Sequence, residues 1–340
     1  MLKASYKRYD LIFKKPGGTS RGVLTKKRSY FIEIYNTQNP AVKGVGECSV
    51  LPRLSPEDSV NIEEKIQYCC QNIDDFAGSY HNSLKQVPAL RFAIEMALLD
   101  LKNGGEKKWF HSAFTRGENS IEINGLIWMG SVKEMQKQVE EKLENGFNCL
   151  KLKIGALDFK KELSLLKAIR ERFSPKELEV RVDANGAYSF EMAIQVLEKL
   201  KELSVHSIEQ PIKAGMHNKM AQLCKISPVP IALDEELIGV NNYQDKKELI
   251  ETIMPHYIIL KPSLTGGFKS SLEWITLAEK NGVKWWITSA LESNLGLNAI
   301  AQWCATLNNY LPQGLGTGQL FTNNVKAPLK MEKGKLKYLP

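Results

Sequence analysis

The chain has 340 residues, 43% of them hydrophobic, and a formal net charge of +8. That length suits two domains, or one α/β barrel with an attached piece, since barrels alone take roughly 250 residues. There is no apolar run long enough to span a bilayer, no apolar signal centre in the first residues, and no basic run interleaved with aromatics. These absences argue against membrane insertion, export and nucleic-acid binding, so a cytoplasmic protein is expected. Cys48, Cys69, Cys70, Cys149, Cys224 and Cys304 form no C-x-x-C pair, which argues against a zinc site and a disulfide framework. The lysine surplus, as at Lys137, Lys142, Lys160 and Lys161, reads as solvated surface with mild attraction for a small anionic molecule. Nothing in the composition fixes an oligomeric state.

Residues 1 to about 115 read as an α+β piece. Lys14–Gly22 reads as a flexible glycine-rich loop between strands, and its Pro16–Arg21 part is expected to close over a substrate. Leu24–Asn36 and Val42–Leu51 read as strands. Pro56–Phe76 and Pro88–Lys102 read as helices, the first with Glu57 and Asp58 in its opening turn. From about 120 onward strand and helix alternate. Ile121–Asn124 precedes a helix from Ser131 to Asn145, with Ser131 and Glu134 as a capping box. The later strands read as 149–154, 178–183, 205–209, 230–234, 256–261 and 283–289, and Gly314–Leu320 reads as a short eighth. This alternation predicts a closed parallel barrel, with a doubly wound open sheet as the alternative. Nucleotide-binding versions of that sheet lack their signature here, because no G-x-G-x-x-G follows a strand and there is no Walker motif.

The informative residues are charges at strand ends. Lys151 and Lys153 share one face of their strand by period-two alternation, as do Arg181 and Asp183. Glu209, Asp234 and Lys261 each end a strand. The steps 153 to 183, 183 to 209, 209 to 234 and 234 to 261 are 30, 26, 25 and 27 residues, about one strand–helix unit each. Any one of these charges alone reads most simply as a salt bridge or a solvated strand end. Together they bring five charges to one barrel mouth, where barrel enzymes keep their chemistry. Three crowded carboxylates repel one another, and a hard divalent cation with oxygen ligands, commonly Mg²⁺, relieves that repulsion. Such a site suits removal of the proton beside a carboxylate, with a desolvated lysine as base.

The ordered set Lys151-Leu-Lys153, Asp183-Ala-Asn185, Glu209-Gln-Pro211, Asp234-Glu-Glu236 and Lys261-Pro262 resembles the enolase superfamily. The likeness is to its muconate-lactonizing branch and runs over essentially the whole chain. It implies an α+β capping domain over 1–118, a (β/α)7β TIM-like barrel over 119–318, and a segment over 319–340 that returns to the cap. The stretches 123–128, 181–185, 289–293 and 314–319 are similar to those of the branch's dehydratases.

The resemblance further implies that Asp183, Glu209 and Asp234 bind Mg²⁺, with Mn²⁺ as a substitute. Lys153 would take the proton of an anionic cyclohexadiene carboxylate and pass it to the departing hydroxyl in a syn elimination. Lys261 would stabilise charge from across the ring. Lys151 would add a like charge beside Lys153 and help hold the substrate carboxylate. Arg181, Ser289 and Gly314 are further expected substrate contacts. Asn185 and Glu235 are expected to support the metal ligands, Glu235 from the other strand face. Racemases and epimerases of the branch share this apparatus. Dipeptide epimerases usually carry D-x-D at the eighth strand, whereas Gly314–Leu320 holds no carboxylate. A catalytically retired homologue is disfavoured, because no lysine or acidic residue of the set is missing.

Overall fold

The computed structural model describes residues 1–19 and 22–340, with the side chain of Thr19 left aside. The chain opens on an antiparallel sheet of β1 (Leu2–Thr19), β2 (Gly22–Asn36) and β3 (Asn39–Ser49), in that order. Within the expected free loop over Lys14–Gly22, the backbone of Gly17, Gly18 and Thr19 is instead paired with β2. Gly17 faces Leu24 and Gly18 faces Val23, with a register shift between Ile12 and Gly17. Glycine and lysine are weak strand formers, so the pattern hid the pairing. Tertiary bonds impose it: Lys14 N–H donates to Leu320 O at 2.9 Å, and Thr322 N–H to Ile12 O at 2.8 Å. Ser20 and Arg21, at the far end of the expected lid, lie outside the described residues.

The single helix expected over 56–76 is three pieces. Pro56–Ser59 is a 3-10 turn, followed by α1 (Ile62–Gln71) and α2 (Ile73–Ser83). Asn72 turns its side-chain amide onto the Tyr68 carbonyl at 2.8 Å, where α1 stops. α3 (Pro88–Lys102) starts with proline at its first turn, as proline's missing N–H allows. It lies directly on β3: a Cβ at Gly46 would stand 1.9 Å from the Ala93 carbonyl oxygen. Ile32, Ile34, Ile66, Leu90 and Ile94 form the cap's core.

After β4 (Ser120–Glu122) come the strands of one parallel sheet, with helices between them. They run β5 (Gly125–Ile127), α4 (Val132–Glu144), β6 (Cys149–Lys153), α5 (Phe159–Arg172), β7 (Glu179–Asp183), α6 (Phe190–Glu202), β8 (Ser207–Glu209), α7 (His217–Ile226), β9 (Ile231–Leu233) and α8 (Tyr243–Ile253). Then follow β10 (Tyr257–Leu260), α9 (Pro262–Thr265), α10 (Phe268–Lys280), β11 (Lys284–Ile287) and α11 (Asn294–Cys304), and the chain ends with β12 (Leu329–Glu332) and β13 (Lys335–Tyr338). The sheet order β5 through β11 is sequential and parallel. The Ser131–Glu134 capping box forms at α4.

Two strand assignments shift. The barrel begins at β5, while β4 pairs with β13. The eighth position is not a strand over 314–320. Gln313 and Gly314 alone bridge the sheet's edges, to Ile123 and Thr288. Turn-forming residues beyond Gly314 leave too little extended chain for a ladder. The main core fills the space between barrel and helices. All six cysteines are buried free thiols. Among the described residues, no helix is long and apolar enough to cross a membrane.

Candidate active site

Parallel register sets the site. Lys153, Asp183 and Glu209 are successive register partners across β6, β7 and β8. Asp234 directly follows β9, and Lys261 directly follows β10. Lys151, Lys153, Asp183 and Lys261 line one cavity at this mouth, as do Asn185, Glu235, Ser289 and Gly314. Glu209 and Asp234 are buried beside it.

The charges compensate one another. Asp183 Oδ2 lies 3.1 Å from Lys151 Nζ and 3.0 Å from Lys153 Nζ. Lys151 also touches Glu209, and Lys261 pairs with Asp234. Burial works to raise the Asp183 pKa, but Lys151, Lys153 and Lys261 outweigh it and hold the carboxyl below its usual range. Burial works to lower the Lys151 and Lys261 pKa values, and the neighbouring carboxylates reverse it in both: Asp183 and Glu209 for Lys151, Asp234 and Glu209 for Lys261. Glu209 goes the other way: burial first, then Asp183, push it well up.

Among the described residues, no three acidic, histidine or cysteine side chains are already gathered around a common ion position. Lysine ammoniums lean on the carboxylates instead. The donor set nevertheless fits a hard divalent cation. It comprises three carboxylates from neighbouring strand ends, and both oxygens of buried Glu209 lack a hydrogen-bond partner. The Lys151 contact gives Glu209 charge compensation without good hydrogen-bond geometry, which leaves its desolvation cost incompletely met.

Asn185 holds the left-handed conformation (φ 45°) and bridges the site. It accepts from Lys153 Nζ at 2.7 Å and donates to Glu235 Oε1 at 3.1 Å. Strict alternation had turned Glu235 away from the mouth. The chain instead enters a 3-10 turn over Glu235–Leu237, which brings Glu235 to the cavity. Arg181 does not reach the cavity. It is buried one layer down the barrel, bonded to Glu179 at 2.6 Å and to Pro312 O at 2.9 Å, and stacked 4.2 Å from the Trp286 ring centre. Alternation gave its strand face correctly, but face alone does not give depth.

Several cavity residues were not singled out from sequence. Leu24, Leu51, Leu54, Trp128 and Leu291 supply apolar walls from the cap and barrel. Thr317 meets Ser289 by a 2.6 Å hydroxyl contact. Asn124 Oδ1 and Thr288 Oγ1 are buried with no hydrogen-bond partner among the described residues, and both residues line the cavity. Such neutral polar groups carry no pattern signal until the fold gathers them.

This mouth, with charges from consecutive strands under an α+β cap, defines an enolase-type barrel. The family model described as "Enolase C-terminal domain-like" matches residues 134–339, and the chain belongs to the enolase superfamily. It is 49% identical to the o-succinylbenzoate synthase of Desulfotalea psychrophila, over 98% of each chain. The crystal structure of MenC from the same organism superposes with a TM-score of 0.84 at 46% identity, covering 99% of both chains. A dipeptide epimerase from Enterococcus faecalis V583 shares the fold, with a TM-score of 0.86 at 21% identity over 99% of this chain and 97% of that one.

Proposed function

We infer that the chain is an o-succinylbenzoate synthase, a lyase that removes water from 2-succinyl-6-hydroxy-2,4-cyclohexadiene-1-carboxylate to give 2-succinylbenzoate in menaquinone synthesis. The observation that carries this is two lysines, Lys153 and Lys261, lining one cavity from the second and sixth barrel strands, in a chain 49% identical to a synthase over nearly its whole length.

Asp183, Glu209 and Asp234 are the residues that would hold Mg²⁺, or Mn²⁺ in its place. The ion would supply positive charge to the substrate carboxylate as the neighbouring C–H bond breaks. Lys153 takes that proton and returns it to the hydroxyl leaving from the same face, so one residue serves both halves of a syn elimination. Lys261 keeps a fixed positive charge on the other face of the ring. Asn185 holds Lys153 in place through its side-chain carbonyl. Leu24, Leu54, Trp128 and Leu291 exclude water and pack the ring. Lys151, Ser289 and Gly314 are the proposed polar contacts of the anionic substrate, from which Arg181 is withdrawn. The division into cap 1–118, barrel 119–318 and tail 319–340 remains our working description of the chain. A cytoplasmic location is part of the same proposal.

The test is loss of the cyclohexadiene absorbance with purified protein and Mg²⁺, abolished by chelator and restored by Mg²⁺. Rapid α-proton exchange of both enantiomers of an N-acylamino acid, with negligible dehydration, would instead establish a racemase. The Thermus thermophilus N-succinylamino acid racemase, 33% identical over 62% of this chain, makes that control worth running.

A further inference from the structure

We propose that Arg91 and Glu95 of the cap helix α3 are positioning residues for Lys261, clamping the turn that follows it. The proposal rests on the synthase reading for the role of Lys261, but not for the clamp itself.

Lys261 is the N-cap of the four-residue helix α9. Its carbonyl accepts from Leu264 N at 2.7 Å, Thr265 N at 2.9 Å and Thr265 Oγ1 at 3.1 Å. Thr265 thus sets the backbone from which the Lys261 side chain departs. Arg91, only 2% exposed, donates to Thr265 O at 3.0 Å through Nη2 and to Gly266 O at 2.8 Å through Nε. One turn along α3, Glu95 accepts from Phe268 N at 2.6 Å and Lys269 N at 3.1 Å. The guanidinium therefore sits on carbonyls at the end of α9 and the carboxyl group on amides at the start of α10, donors and acceptors each matching the unsatisfied groups of their helix end.

Between the two grips lie Gly266 (φ 90°) and Gly267 (φ 101°). A Cβ there would stand 1.7 Å from Arg91 Nη2 and 2.0 Å from Glu95 Oε2. The backbone is pressed against both side chains, so the turn cannot shift without breaking these bonds. Because α3 rests on β3, the grip belongs to the cap, while Lys261 belongs to the barrel. A planar, two-pronged guanidinium suits two adjacent carbonyls, and lysine cannot reproduce it.

The test compares trace acylation of Lys261 with that of Lys153 in the intact protein, by peptide mass spectrometry. The two side chains are equally exposed at 13%, which makes Lys153 an internal reference. The variants are Arg91→Met, Arg91→Lys and Glu95→Gln, each checked for folding by circular dichroism. Arg91→Met should raise the Lys261/Lys153 labelling ratio about threefold or more, as local order is lost. It should lower kcat about tenfold to a hundredfold with KM within about twofold, since a displaced group costs rate more than binding. Arg91→Lys should fall between it and the wild type, and Glu95→Gln, which keeps an acceptor, should be the mildest. An unchanged ratio in well-folded Arg91→Lys, or parallel rises at both lysines, would overturn the clamp. A shifted ratio in a protein whose wild type never dehydrates the cyclohexadiene would leave the clamp standing and remove the synthase reading.

Discussion

Lys153 and Asp183 face each other directly on adjacent parallel strands, and the lysine donates to Asp183 Oδ2 at 3.0 Å. Lys151 approaches the same oxygen at 3.1 Å. A single carboxylate thus sits between two ammoniums that the K-x-K spacing brings to one strand face. In a buried site their repulsion would be severe without it.

Asp183→Asn should therefore do more than delete one metal donor. It leaves Lys153 beside a neutral amide and Lys151 with Glu209 as its one remaining contacting carboxylate. Dehydration should vanish, and Mg²⁺ affinity should fall about tenfold or more. The metal-free protein should lose about 3 kcal/mol of stability, the order expected when one partner of a buried ion pair is removed. Calorimetric titration with Mg²⁺ and urea unfolding in chelator measure the two effects. An active variant with undiminished Mg²⁺ affinity would take Asp183 out of the site.

Asn124 and Thr288 line the cavity, and their buried side-chain oxygens have no hydrogen-bond partner among the described residues, so a small rotation would let each meet a polar atom of the substrate or a bridging water. Asn124→Ala and Thr288→Val should each raise KM by about tenfold, equivalent to one hydrogen bond of about 1.4 kcal/mol, with kcat within about threefold. Steady-state kinetics decide it. An unchanged KM in both variants would assign these oxygens to neither substrate nor its waters.

The charged part of this site was legible in the sequence because a strand end is a simple address. Period two gives the face, and the strand–helix repeat gives the mouth, so Lys153, Asp183, Glu209, Asp234 and Lys261 could be placed on one barrel mouth together. What was not legible has three physical causes. Depth along the barrel axis depends on stagger, so Arg181 shared a face with Asp183 yet ended under the site. Local turns override alternation, so the 3-10 turn after Asp234 reversed the expected direction of Glu235. Contacts between distant segments leave no local trace. Residues 12–14, at the base of the hairpin arm, are held by residues 320–322, and Leu51, Leu54 and Leu291 meet only in the folded cavity.

The cap carries its own titratable strain. Burial pushes Glu57 up to about 7, although its Oε1 accepts from Ala89 N at 2.6 Å at the start of α3, and burial pushes Glu95 to about 7 as well. Below the usual carboxyl value of 4.5 both states are protonated. As pH rises toward 7 the unfolded chain has released a proton that the folded state still holds, so stability falls across that window and then levels. His81, lowered to about 4 by burial and by Lys269 and Arg91, gives the opposite slope between about 4 and 6.5. Glu57→Gln should flatten the decline between about pH 5 and about pH 7. Urea unfolding across that range tests it, and an identical pH slope in wild type and variant would rule Glu57 out as its source.

Lys153 and Lys261 have the same functional group and, by this reading, different duties. A racemase must move protons on both faces of its substrate, so losing either lysine is equally damaging. A syn dehydration moves a proton on one face only. Lys153 is held by Asp183 and by the Asn185 side-chain carbonyl, and it is the lysine of its strand placed farther toward the strand end. Lys261 needs only to stay charged beside Asp234. Lys153→Ala and Lys153→Arg should therefore both lower kcat by about four orders of magnitude, the upper range for removal of a positioned acid–base group. Lys261→Ala should be similarly damaging, because the charge is gone. Lys261→Arg should recover about a tenth to a hundredth of the rate, since the charge returns with a planar, larger head. Measuring kcat for the four variants gives the asymmetry directly. Equal losses for the two arginine variants would mean that both lysines transfer protons, and the chemistry of the site would then be that of a racemase.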